Sequence, residues 1–422
     1  MDLLEEYRHT RAQTETLCAR LNSEDMVVQP FDHVSPPKWH LAHTTWFFET
    51  FILDSFSGDY QYYDDSFQKK FNSYYKQIGD HWKQSQRGTL SRPTVSETME
   101  YRNAIDTRIL ELSEKIQPKD RSRFDSILEI GIHHEKQHQE LLLMDIKSIL
   151  SCNLKSPVFS SDSKNTDLGV PQEEWISFPG GLVEIGENEE RFSIDNERPK
   201  HKVFLEPFKI SNRLVSNAEF LKFIEFGGYT KPEYWLSDGW DILTENKWNS
   251  PLYWQKNDSG KWIEVTLNGL KELNLDEPVS HISFFEADAY ARYLGFRLPT
   301  EFEWEEASRK CDFERPSFPK ESMASVFQES NIHHPIYSIQ KNGPFYDLLG
   351  NLWEWTASAY LPYPGFRPAN GALGEYNGKF MCNQMVLRGG CLATPADHIR
   401  TTYRNFYRPE QRWMFSGIRL AQ

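Results

Sequence analysis

The 422-residue sequence has no long apolar run, no excess of basic charge and no paired-cysteine motif. Each lack excludes something. A helix that spans a bilayer needs about 18 or more consecutive apolar residues, and no segment comes near that. With 47 basic and 61 acidic residues the formal net charge is −14. Nucleic acid and anionic lipid repel such a chain, so neither is expected as a partner. Five cysteines stand far apart, at positions 18, 152, 311, 382 and 391, with no CxxC. That pattern predicts reduced thiols and a cytoplasmic location. The opening Met1-Asp-Leu-Leu-Glu-Glu has neither the basic nor the apolar region of a signal peptide, an expectation in the same direction. Aromatic residues are abundant, at 14% of the chain. A chain of this length and composition buries sizeable cores, and two or three domains are expected.

The texture changes near residue 155. Before it, apolar residues recur at helical spacing. One helix is predicted over 1–22. A second starts after Pro36-Pro37, prolines being suited to a first turn, and runs to Thr50. A third opens at Thr94-Val-Ser-Glu97, a capping-box pattern, and runs to about Ile116. A fourth spans about Arg121 to Leu150. Four long helices predict an up-and-down bundle over 1–152. The connection from about 57 to 93 is too long for a simple bundle loop, and loops of that length are usually functional. Residues 153–174 are polar and read as a linker. The remainder, 175–422, reads as one irregular α+β domain of short strands and turns, with clear helical patterns only at 216–226 and 284–294.

Seven of the thirteen histidines fall between positions 33 and 138. His134 and His138 are four apart, so on a helix they share one face. That spacing lets two imidazoles hold one metal, although it also fits a plain polar helix face. His40 and His43 lie on the otherwise apolar second helix, where an inward histidine needs a partner. Bundle cores build metal sites from facing helices in this way. Imidazoles with open positions suit Fe(II), Zn(II), Ni(II) or Cu(II). Glu135 points elsewhere, and Glu49 and Glu140 read as supporting or structural groups.

The C-terminal half carries Phe178-Pro-Gly-Gly-Leu-Val-Glu-Ile-Gly186, Gly295-Phe-Arg-Leu-Pro-Thr-Glu-Phe-Glu-Trp304, Gly350-Asn-Leu-Trp-Glu-Trp-Thr356, Val386-Leu-Arg-Gly-Gly390 and Phe415-Ser-Gly-Ile-Arg419. This series resembles the formylglycine-generating-enzyme (sulfatase-modifying-factor) domain, an irregular α+β, C-type-lectin-like fold. Cys391 stands where that family usually carries Ser, and the later family cysteine before Arg400-Thr-Thr-Tyr-Arg404 is missing. Formylglycine chemistry is therefore not expected. The N-terminal half resembles the all-α DinB-like four-helix bundle. The fusion resembles the sulfoxide synthases of ergothioneine biosynthesis. Local matches are Trp39-His-Leu-Ala-His43, Phe71-Asn-Ser-Tyr-Tyr75, Arg87-Gly-Thr-Leu-Ser-Arg-Pro-Thr94, His134-Glu-Lys-Gln-His138 and Tyr403-Arg-Asn-Phe406.

The resemblance implies a multi-domain enzyme that uses O2 and Fe(2+) to join a thiol, L-cysteine, to C2 of the hercynine imidazole as a sulfoxide. His43, His134 and His138 are then the metal ligands, with His40 in a supporting place. Tyr74 and Tyr75 are the first candidates for the catalytic proton donor, and Tyr376 is ranked below them. Asn405 and Phe406, with Phe380 nearby, would meet the trimethylammonium group, where aromatic faces suit a desolvated cation. Gln137 would meet the hercynine carboxylate through water. Arg87, followed by Arg92, would pair with the carboxylate of the thiol substrate. Tyr407 and Gln411 stand where γ-glutamylcysteine-using members carry Asp and Arg, which favours cysteine. The alternatives are a selenoneine-type or ovothiol-type synthase, a zinc DinB-like thiol transferase, and a lectin-like binding module with a structural bundle.

Overall fold

The computed structural model describes residues 2–153, 157–161, 169–188, 191–311, 325–369 and 371–422. The chain divides into two compact units. Unit 1 is Met1–Phe159 with Asn370–Tyr376, and unit 2 is Ser160–Ala369 with Asn377–Gln422. Among the described residues no helix is long and apolar enough to cross a membrane.

Among its described residues, unit 1 contains four long helices, α1 (Leu3–Cys18), α2 (Pro37–Phe48), α3 (Val95–Lys115) and α4 (Pro118–Ser151). The first ends four residues earlier than its pattern predicts. The fourth starts three residues earlier, because Pro118 fits the first turn. The capping box predicted for the third helix is present: Thr94 Oγ1 accepts from Glu97 N, and the Glu97 carboxylate accepts from Thr94 N. Every residue of α2 is buried, which makes it the central helix of the unit. It continues as a π turn, Glu49–Leu53, and a short turn, Asp54–Phe56.

Gly131 on α4 faces the Phe48 ring so closely that a Cβ there would lie 2.4 Å from Cε1. The glycine thus sets the approach of α2 to α4. The helices are also tied by a buried ion cluster. Glu135 accepts from Arg11, Arg102 and Thr14, and Arg11 also donates to Asp106. Burial alone would raise the Glu135 carboxyl; Arg102 and Arg11 overcome it and hold the group at about 2. Glu135 is therefore structural, turned away from the imidazoles as its place in the sequence predicts.

The connection between α2 and α3 has two short turns, Phe67–Lys70 and Gln84–Thr89, and is pinned by side chains. Glu49 accepts from the Tyr60 and Tyr101 hydroxyls and from Tyr63 N. Asn72 accepts from Tyr75 N and donates to the carbonyls of Tyr75 and Gly79.

Part of the predicted linker lies outside the described residues. Its described part is packed: Phe159 is buried against Arg20, and Ser160 N donates to Leu267 O. Among the described residues, unit 2 holds four small sheets. They are β1 (Trp175–Phe178) with β4 (Phe208–Ser211), β2 (Gly181–Ile185) with β3 (His201–Leu205), an antiparallel three-stranded sheet of β5 (Trp254–Lys256), β6 (Trp262–Thr266) and β7 (Gly269–Glu272), and a four-stranded sheet. The last has the order β10 (Asn405–Tyr407), β9 (Met385–Arg388), β8 (Trp353–Ala359), β11 (Ser416–Gly417), with β8 and β11 parallel. Helices α5 (Asn217–Glu225) and α7 (Phe284–Tyr293) are the two predicted. Helices α6 (Ser237–Asn246) and α8 (Glu301–Ser308) are additional.

The sequence motifs of this unit are mostly internal ion pairs. Glu354 accepts from Arg419 and from Trp304 Nε1, Glu301 from Arg404, and Glu305 from Arg388. All these groups are buried, and a buried charge needs such a partner. Cys391 is buried, and none of the five cysteines is in a disulfide.

Candidate metal centre

Three imidazoles converge in the core of unit 1. His43 from α2 and His134 and His138 from α4 each offer a ligand nitrogen within 4.8 Å of the others, and all three are buried. His43 Nε2 lies 3.2 Å from His134 Nε2. Two nitrogens bound cis, each about 2.1 Å from one metal, would be about 3 Å apart, so the separation fits a shared ion. His43 Nδ1 is 2.5 Å from the Phe71 carbonyl. It must donate there, since a carbonyl only accepts, and this leaves the Nε2 lone pair for a metal. His134 Nδ1 is buried with no hydrogen-bond partner.

Burial pushes His134 down to about 3. Burial, reinforced by the neighbouring imidazoles, also holds His43 and His138 well below the usual histidine range. All three are therefore neutral at physiological pH, the form that binds a metal. The donor set fits a divalent transition metal, with no carboxylate among the three.

A fourth histidine stands behind them. His40 Nδ1 is 2.8 Å from His138 Nδ1, and His40 Nε2 is 2.9 Å from Asp145 Oδ2. Ser35 N donates to the same carboxylate oxygen. Sequence reasoning did not single out Asp145. Its signal is a spacing of seven from His138, two turns along the same face of α4.

Arg87 is buried. Its guanidinium carbon sits 3.3 Å from the Trp39 ring centroid, and Trp39 stacks on His43 at 4.5 Å. Nη1 donates to Ser35 Oγ, while Nε has no partner. Burial lowers Arg87 to about 9, which leaves it a cation at neutral pH. Arg92, by contrast, is exposed and donates to the Ser91 carbonyl; no contact joins it to the imidazoles.

The three candidate tyrosines also meet in unit 1. Tyr74 and Tyr75 have ring centroids 4.7 Å apart. Tyr75 is wholly buried among Trp46, Phe47 and Phe51. Burial raises its hydroxyl well above the usual range, and Tyr74 and Tyr376 push it the same way. Tyr376 belongs to the 371–376 segment that packs with the bundle, although its sequence position suggests the other domain. Its ring is 5.8 Å from that of His134, and its hydroxyl donates to Gln137 Oε1. Tyr376 thus has a ring contact to an imidazole of the cluster. Glu375 secures the segment by accepting from Lys76 N and Gln77 N.

The remaining candidates lie in unit 2. Phe406 stacks on Tyr360 at 4.1 Å and lies 5.8 Å from Phe380, also stacked. Asn405 precedes Phe406 on β10, and its side-chain oxygen accepts from Phe406 N. These residues form an aromatic group with an amide oxygen beside it, a composition suited to a quaternary ammonium.

Comparison with known proteins matches both halves. Residues 6–142 match the DinB superfamily, and residues 161–422 match the Sulfatase-modifying factor enzyme 1-like domain. The chain is 32% identical over 312 residues to a hercynine oxygenase of Mycolicibacterium smegmatis, covering 69% of this chain and 70% of that one. Against a hercynine oxygenase of Mycobacterium tuberculosis it is 32% identical over 319 residues, covering 72% of each. A formylglycine-generating enzyme of Streptomyces coelicolor is 28% identical over 286 residues, covering 58% of this chain and 88% of that one. With both domain types present in this order, and relatives of this identity matched over more than two thirds of their length, the chain belongs to the hercynine oxygenase family, the sulfoxide synthases of ergothioneine biosynthesis.

Proposed function

We propose that the protein is an iron(II)-dependent oxygenase that joins the sulfur of L-cysteine to C2 of the hercynine imidazole and oxidises that sulfur to a sulfoxide. The observation that carries this reading is the buried three-imidazole group, with the buried cation Arg87 stacked on Trp39 beside it. The electrons balance. C2–H and S–H are lost, the C–S and S–O bonds form, and O2 takes four electrons, giving one oxygen to sulfur and one to water. His43, His134 and His138 would hold the iron(II), which would supply the one-electron and O2 chemistry that the coupling needs.

The chain's own residues do the rest. Arg87 pairs with the carboxylate of the thiol substrate, for which its free Nε is suited. Tyr376 is the favoured proton donor, because its ring adjoins His134 and Gln137 orients its hydroxyl. Tyr75 and Tyr74 stand behind it. Within unit 2, the aromatic group of Phe406 and Phe380 with the Asn405 amide offers the kind of surface that a trimethylammonium group such as that of hercynine requires. The test is aerobic incubation of the iron(II)-loaded protein with hercynine and either cysteine or γ-glutamylcysteine, read by mass spectrometry. Cysteine is expected to give hercynylcysteine sulfoxide. No sulfoxide from either thiol would end this reading, and product from γ-glutamylcysteine alone would replace the thiol.

A further inference from the structure

Two residues that touch no proposed substrate occupy a telling place. His40 and Asp145 are both buried, at 2% exposure each. They extend a line of hydrogen bonds from α4 to α2 and back: His138 Nδ1 to His40 Nδ1, then His40 Nε2 to Asp145 Oδ2. We infer that Asp145 and His40 form a relay that fixes the tautomer of His138 and so turns its Nε2 lone pair toward the metal. The inference rests on the metal-binding reading of the three imidazoles.

Each bond in the line needs one N–H, and a neutral imidazole has one. An ionised Asp145 only accepts, so His40 carries its proton on Nε2. His40 Nδ1 is then an acceptor, and His138 must donate from Nδ1. That leaves His138 Nε2 bare. In the opposite arrangement a protonated Asp145 donates to His40, His40 Nδ1 donates to His138, and the His138 proton is driven onto Nε2, where it blocks a metal. Only the first arrangement allows His138 to bind through Nε2. The charge of Asp145 favours it, and the same charge makes the ligand more basic.

A purely structural carboxylate would satisfy both its oxygens. Here Asp145 Oδ2 accepts from Ser35 N as well as His40, while Oδ1 is buried with no partner. An unsatisfied buried oxygen costs stability, so packing alone does not account for Asp145. His40 and Asp145 are thus positioning residues, acting on the metal through His138.

The test uses the full-length protein with 15N-labelled histidine, comparing wild type with His40→Phe and Asp145→Asn, and Co(II) as the probe ion. In the metal-free wild type, His138 should be the Nδ1–H tautomer by 15N NMR. Both variants should show a tautomer mixture and bind Co(II) roughly tenfold or more weakly, the usual effect of losing a residue that orients a ligand. A merely structural pair would lower the melting temperature while leaving tautomer and affinity unchanged. Variants that bind within threefold of wild type, with His138 still Nδ1–H, would overturn the relay. Wild type that takes up no Co(II) would instead overturn the metal reading beneath it.

Discussion

At the scale of single residues, the three imidazoles make the protein without metal sensitive to acid. In the unfolded chain each protonates near 6.5. In the folded protein His134 resists until about 3, and His43 and His138 are lowered in the same sense. Between those limits the unfolded state binds more protons, so stability falls as pH falls, by up to about 1.4 kcal/mol per pH unit for each such group. Above about 6.5 these groups contribute no slope. Urea unfolding of the metal-free protein between pH 6.5 and 5 should show the decline, and His134→Ala should flatten it by about one proton. An unchanged slope would remove His134 from this role. The tyrosines give a second prediction, read as a product ratio. Tyr376→Phe removes a hydroxyl with little change in packing. It should keep O2 consumption and divert flux from sulfoxide to cysteine sulfinate, more than Tyr74→Phe or Tyr75→Phe does. If all three leave the ratio alone, none is the donor. The His134–His138 pair is legible in the sequence because a spacing of four on a helix is local geometry, whereas the choice of His43 over His40 follows only from the family resemblance. The relation of Arg87 to Trp39, or of Asp145 to His40, is not legible in that way, since it depends on how a long loop and two helices meet.

At the scale of elements, helix starts are the best-read features. Thr94 with Glu97, Ser216 with Glu219 and Ser283 with Glu286 are capping boxes written three residues apart, and each opens an observed helix. Thr300 with Glu303 carries the same signal for α8. That helix has only eight residues, too few for a periodic apolar stripe to stand out. Helix α6 begins after Leu236, with no side-chain cap, so no such signal exists for it. The strands of unit 2 run from two to seven residues and are stitched by buried Arg–Glu pairs, so alternation has little room to appear. The contact of α2 with α4 gives a stability prediction. Gly131→Ala would place a Cβ against the buried Phe48 ring. Overpacking costs about 1–3 kcal/mol, and alanine regains about 1 kcal/mol of helix propensity. Thermal denaturation should therefore show a net loss of stability. A higher melting temperature would mean that the two helices separate more easily than their packing implies.

At the scale of the whole molecule, unit 1 is not continuous in sequence. It needs residues 371–376, held by Glu375 at the backbone of Lys76 and Gln77. Glu375→Ala removes that acceptor without touching an imidazole. Hydrogen exchange should quicken in 371–376, and the product ratio should move toward sulfinate as for Tyr376→Phe, with metal affinity unchanged. Exchange and ratio both equal to wild type would show that the segment docks without this carboxylate. The discontinuity also has a consequence in time. A ribosome adds about 5–20 residues per second, and roughly 200 residues separate Phe159 from Tyr376. For roughly 10–40 s of synthesis the helices that carry the imidazoles exist without the tyrosine that adjoins His134. A nascent or truncated chain that captured a metal at the imidazoles in that interval would hold it beside a wall still lacking Tyr376.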